Sequence, residues 1–89
     1  MAIKKELEII NQRGLHARAA SKLVNVVKKY KSVVTVSKND QKVTGSSILG
    51  VMMLAAGIGD KIIFEVTGED EQESSEAIEI LVNNKFDED

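Results

Sequence analysis

The chain has 89 residues with no cysteine, no tryptophan and a single histidine. This excludes disulfides, thiolate zinc sites and histidine-rich metal clusters, and gives a Ser-His-Asp triad little to build on. No run approaches the ~18 apolar residues that a membrane span needs. The start Met1-Ala2-Ile3-Lys4-Lys5 leads into alternating residues rather than an apolar signal region. One domain over residues 1–89 is expected, soluble and cytoplasmic, with no membrane insertion, metal or cofactor.

Charge is nearly balanced overall but unevenly spread. Residues 1–42 carry ten Lys/Arg against three Asp/Glu, whereas residues 43–89 carry two against eleven. That asymmetry predicts a basic face and an acidic face. One tyrosine and two phenylalanines leave little for bases to stack on, which argues against nucleic acid as the partner of the basic half.

Ile3, Leu7 and Ile9 alternate with Lys4, Glu6 and Glu8, the pattern of a half-buried strand; Lys5 breaks the inward set, as at a frayed start. Asn11-Gln12-Arg13-Gly14 reads as a loop, with Gly14 free to take backbone angles that other residues avoid. From Ala17 to Lys29 the period becomes helical. Ala17, Ala20, Leu23, Val24 and Val27 share one face, and Arg18, Lys22, Asn25 and Lys29 the other. Val33 to Ser37 is a β-branched strand, Lys38-Asn39-Asp40-Gln41 a turn, and Lys42-Val43-Thr44 its returning partner.

Ser46-Ser47 precedes the run Ile48 to Ala56, and serine is a favoured helix N-cap. The run is apolar on every side, so a short helix cannot hide all of it; Gly57 and Gly59 are expected to stop it. On the next strand Ile62, Phe64 and Val66 point one way and Ile63, Glu65 and Thr67 the other. Glu69 to about Phe86 is an amphipathic helix with Ala77, Ile78, Leu81 and Val82 as its stripe, and the acidic tail Asp87-Glu88-Asp89 is expected to fray. The order β-α-β-β-α-β-α predicts an α+β fold: a four-stranded antiparallel sheet with helices on one face.

The stretch with the most chemistry is Gly14-Leu15-His16-Ala17-Arg18. If a helix starts at Ala17, His16 is its N-cap and the first-turn N–H groups lack helical partners. With the helix macrodipole they make an anion site, and they disfavour a cationic ring. A neutral ring nitrogen can act as a nucleophile toward phosphorus. Arg18, and Arg13 from the preceding loop, could then offer charge-assisted hydrogen bonds to a phosphoryl group.

Gly14-Leu15-His16-Ala17-Arg18, followed after a hairpin by Ser47-Ile48-Leu49-Gly50-Val51-Met52, resembles the HPr phosphocarriers of the bacterial phosphotransferase system. The resemblance spans the whole chain and implies an open-faced β-sandwich with strand order 1-4-2-3. It implies that His16 is phosphorylated on Nδ1 by enzyme I, with phosphate derived from phosphoenolpyruvate, and passes the group to an enzyme IIA. Arg18 would stabilise the phosphate beside the backbone of Ala17, Arg18 and Ala19. The chain would be a covalent intermediate, monomeric, rather than an independent catalyst.

By the same resemblance Ser47, less so Ser46, is a regulatory phosphorylation site for an HPr kinase/phosphorylase. Ile48, Leu49 and Met52 would form the exposed docking patch, with Val51 and either Leu54 or Ala55 turned inward. Ala19 stands where the family usually has proline, and alanine restores a backbone donor there. That alanine, with Met52-Met53-Leu54-Ala55-Ala56, also resembles the nitrogen-related carriers, which signal rather than feed transport. A small RNA- or protein-binding module using the basic half is the alternative from a different class.

Overall fold

The computed structural model describes residues 2–88. Its elements are β1 (Ile3–Glu8), α1 (Ala17–Lys28), β2 (Val33–Lys38), β3 (Gln41–Thr44), α2 (Ile48–Met53), β4 (Lys61–Thr67) and α3 (Glu71–Asn83), followed by a 3₁₀ turn at Lys85–Asp87. The strands form one antiparallel sheet in the order β1-β4-β2-β3, and α1 and α3 pack over one of its faces. Val34 and Val36 from β2, and Ile62, Phe64 and Val66 from β4, point into the helix layer and are almost completely buried. They meet Leu23 and Val24 of α1 and Ile78 and Val82 of α3 in one core. The other face carries the alternate residues of each strand, as period-two patterning requires.

Several local expectations change. Lys5 is not a frayed end: it lies mid-strand opposite Phe64, and its ammonium donates to Glu79 of α3 at 2.6 Å. An inward lysine is accommodated because a carboxylate on the covering helix meets it. In α1 the buried set is Ala19, Ala20, Leu23, Val24 and Val27, with Ala17 exposed. The β2–β3 turn needs only Asn39-Asp40, and Asn39 adopts φ 54°, which its short polar side chain tolerates well.

The second helix stops at Met53, before either glycine, because Ala55 adopts the left-handed φ of 51°. α3 begins at Glu71 rather than Glu69. Asp70 precedes it but turns its carboxylate to the backbone N–H groups of Lys31 and Ser32, at 2.8 and 2.9 Å. This clips the α1–β2 turn to the β4–α3 turn. The hydroxyl of Ser32 also donates to Asp70, and its bond and those from the Lys31 and Ser32 N–H groups outweigh desolvation and hold the Asp70 carboxyl below its ordinary pKa.

Asp87 and Glu88 do not fray: their N–H groups donate to the Asn84 and Lys85 carbonyls, each at 3.0 Å; Asp89 lies outside the described residues. After α3, Lys85, Phe86 and Asp87 adopt three consecutive left-handed φ values of 56°, 54° and 61°. A left-handed residue other than glycine costs about 1 kcal/mol or more. Burial of the Phe86 ring and a 2.9 Å hydrogen bond from Lys22 Nζ to the Phe86 carbonyl oppose that cost. The turn swings Glu88 back across the start of α1.

The two charged halves are interleaved rather than segregated. Lys5 pairs with Glu79, Lys38 with Asp60 and Lys42 with Glu65. Among the described residues no helix is long and apolar enough to cross a membrane.

Candidate functional site

His16 caps α1 with an extended backbone (φ −75°, ψ 178°), and its side chain makes no capping hydrogen bond. The first intrahelical bond runs from the Ala20 N–H to the His16 carbonyl at 2.8 Å. The N–H groups of Ala17, Arg18 and Ala19 therefore precede the helical ladder and stand at the positive end of its dipole.

The loop before His16 is fixed from two sides. The Leu15 N–H donates to the Ala56 carbonyl at 2.9 Å, and the Leu15 side chain is buried. Gly14 has φ +66°, and a Cβ there would lie 2.4 Å from the Ala56 oxygen. Only glycine satisfies both the angle and the contact. Asn11, fully buried, donates through Nδ2 to the Gly14 carbonyl at 2.8 Å and to Glu88 at 2.9 Å.

The ring is held by the returning tail. Its Nε2 hydrogen-bonds to the Glu88 carboxylate, and both side chains are mostly shielded from solvent. Partial burial acts to raise the Glu88 pKa. Hydrogen bonds from Asn11 and His16, with the charges of His16 and Arg13, outweigh it and hold the carboxyl below its ordinary value. Beside this pair Gln12, Arg13, Arg18, Lys22, Asp87 and Glu88 line an open pocket of about 260 Å³. Three cations and two carboxylates thus meet within reach of the helix start.

Next to this site α2 exposes Ile48, Leu49 and Met53. Val51 and Leu54 point inward and are almost completely buried, while Ala55 is exposed. Met52, expected on the outer face, is half-buried against the core, and Met53 takes the exposed place. Ser47 caps α2, its Oγ accepting from the Gly50 N–H at 3.0 Å. Ser46 is exposed and shares a hydrogen bond with the Thr44 hydroxyl.

The structure therefore brings together His16, Arg18 and the backbone of residues 17–19, and places the apolar face of α2 on the helix packed beside α1. Sequence reasoning missed Asn11 and Glu88. Glu88 carries no local signal, because its contacts to His16 and Asn11 reach across 72 and 77 positions; of the two Asn11 bonds only the one to Gly14, three residues on, is local.

The fold and site define the class: a small open-faced α+β sandwich with a histidine at a helix start, an arginine-lined pocket beside it and an exposed apolar helix next to both. Residues 3–84 match the family described as PTS HPr component phosphorylation site. The phosphocarrier protein HPr of Neisseria meningitidis is 48% identical over 84 residues, 94% of each chain. The phosphocarrier protein NPr of Shewanella violacea is 36% identical over 86 residues, covering 97% of this chain and 94% of that one. Among solved structures, HPr-C-His from Thermoanaerobacter tengcongensis superposes with a TM-score of 0.93 at 36% identity over 98% of each chain. The chain belongs to the HPr phosphocarrier family of the phosphotransferase system.

Proposed function

We propose that the chain is a single-domain histidine phosphocarrier that receives a phosphoryl group on His16 Nδ1 from phosphorylated enzyme I and delivers it to an enzyme IIA domain. The observation that carries this reading is the engagement of Nε2 by Glu88. A carboxylate on Nε2 favours the tautomer with its proton there, leaving the lone pair on Nδ1. In the transfer that lone pair attacks phosphorus, the P–Nδ1 bond forms, and the bond to the donor's atom breaks. The reverse exchange, with the acceptor's nucleophile attacking, discharges the carrier.

The N–H groups of Ala17, Arg18 and Ala19 and the guanidinium of Arg18 receive the phosphoryl oxygens. The N–H of Ala19 is a donor that proline would lack. Ile48, Leu49 and Met53, with only the outer part of the half-buried Met52, form the apolar surface on which both partners dock, and methionine suits a face that must fit more than one. Ser47 is the regulatory position. A phosphate there would add about −1.5 to −2 charge beside the docking face and disturb the cap that its hydroxyl now makes. The higher identity to HPr than to NPr favours the general carrier over the nitrogen-type regulator.

Incubation with phosphoenolpyruvate and enzyme I should add the mass of one phosphoryl group, lost in acid and absent from His16→Ala. Lack of any adduct on the wild-type chain would overturn the reading.

A further inference from the structure

Lys38, at the end of β2, is distant in sequence from the His16 loop, yet its ammonium is the hub of a small network. Its Nζ donates to the Leu54 and Ala55 carbonyls at 3.3 and 3.1 Å and lies 3.2 Å from Asp60 Oδ2. The same Asp60 oxygen accepts the Gly57 N–H at 2.8 Å. One cation and one carboxylate thus close residues 54–60 at both ends. The cation meets carbonyls where α2 has run out of helical donors. Within the closed segment Ala55 has the left-handed φ of 51°, a conformation that persists only when its surroundings impose it.

This segment is the surface against which the His16 loop is built. Ala56 offers its carbonyl to Leu15, and the Gly14 backbone rests on Ala56 and Gly57. Gly59 donates to the Ile9 carbonyl and Ile9 to the Asp60 carbonyl, each at 2.8 Å. The chain that ends in His16 is therefore laid along residues 56–60 from Ile9 to Leu15. The other end of the segment is continuous with α2, which carries Leu49 and Met53.

We propose that Lys38 and Asp60 are positioning residues for phosphotransfer: they clamp residues 54–60 so that the His16 loop and the apolar face of α2 keep one fixed relative placement. The proposal rests on the phosphocarrier reading above. The lowered pKa of Asp60, caused first by the Gly57 hydrogen bond and then by Lys38, keeps the carboxylate charged for this role. Both side chains are partly exposed, so the pair adds little to global stability; its effect is local. A donor and an acceptor that grip α2 while reaching His16 are sensitive to that placement, since small misplacements of reacting atoms are costly.

The test combines backbone amide exchange with phosphotransfer from enzyme I in Lys38→Met, Lys38→Arg and Asp60→Asn. Lys38→Met should accelerate exchange of the Leu15 amide while leaving that of Leu23, in the α1 core, unchanged. It should lower the transfer rate about tenfold. Lys38→Arg, which keeps a cationic donor, should restore both, and Asp60→Asn should fall between. Unchanged Leu15 exchange, equal acceleration at Leu15 and Leu23, or faster Leu15 exchange with normal transfer would each overturn the clamp. If the wild-type chain accepts no phosphoryl group, the carrier reading falls separately, and Leu15 against Leu23 exchange still decides whether the clamp exists.

Discussion

Glu88 lays its carboxylate on Nε2 of His16, across 72 positions of sequence. The contact ties the end of the chain to the start of α1, and Asn11 holds the same carboxylate from below. Removing it should change the ring before it changes the fold. In Glu88→Ala the neutral ring loses the partner that favours a proton on Nε2, so the ¹⁵N shifts of the two ring nitrogens should move toward each other. With Nδ1 bearing the lone pair less often, transfer should slow about fivefold, the loss of roughly one hydrogen bond of about 1 kcal/mol. A ring tautomer identical to wild type would remove Glu88 from the account.

The same contact has a pH signature. The Glu88 carboxyl is held below its ordinary value by bonds that exist only when the tail is docked, so the undocked chain binds more protons at intermediate pH. Docking is therefore fully stabilised above the ordinary glutamate value of about 4.3 and is lost as pH falls through the lower docked value. The side-chain carboxyl ¹³C signal of Glu88 should titrate with a midpoint below that of a free glutamate. Asn11→Ala, which removes the largest of the favourable bonds, should raise the midpoint.

The layout of strands was legible because β1, β2 and β4 each bury one face. Ile62, Phe64 and Val66 alternate cleanly in the sequence and lie inward in the structure. The phase of α1 was less so. A helical wheel encodes one direction of burial, but α1 also packs sideways on α2 and α3. Ala19 is accordingly buried and Val26 packs against the core, while Ala17 stays in solvent. His16 could be placed at a helix start because the period changes from two to 3.6 across it. Glu88 could not: an acidic residue near a chain end has the composition of a solvated tail. Its position follows from where Phe86 finds room in the core, which no local pattern records. The early stop of α2 was hidden for a similar reason, since it depends on Lys38 and Asp60 holding Ala55 in a conformation that alanine does not choose alone.

Gly14 offers a sharp test of how the His16 loop is built. Gly14→Ala would impose a side chain at φ +66° and drive a Cβ to 2.4 Å from the Ala56 oxygen. The angle alone costs about 1 kcal/mol or more, and the clash forces the Leu15–Ala56 bond to open. A loss of at least about 2 kcal/mol in denaturant unfolding is expected, with transfer falling in parallel. A Gly14→Ala protein of wild-type stability would contradict the close approach.

The exposed face of α2 should separate docking from folding. Leu49 is 73% exposed and Ile48 40%, whereas Leu54 in the same run is 1% exposed. A charge at Leu49 or Ile48 meets water in the free protein, so Leu49→Glu and Ile48→Glu should change stability by no more than about 0.5–1 kcal/mol. In a complex the same carboxylate would be buried without a partner, at a cost of several kcal/mol. Transfer from enzyme I should therefore fall more than tenfold, through weaker binding, and should recover partly at high carrier concentration. Ile78→Ala, in the core on α3 and away from residues 54–60, should do the opposite. It opens a cavity in the core and destabilises by about 2–5 kcal/mol, while below its unfolding transition the remaining folded protein transfers at close to the normal rate. Large destabilisation by Leu49→Glu with normal transfer would show that the patch serves the core rather than partners.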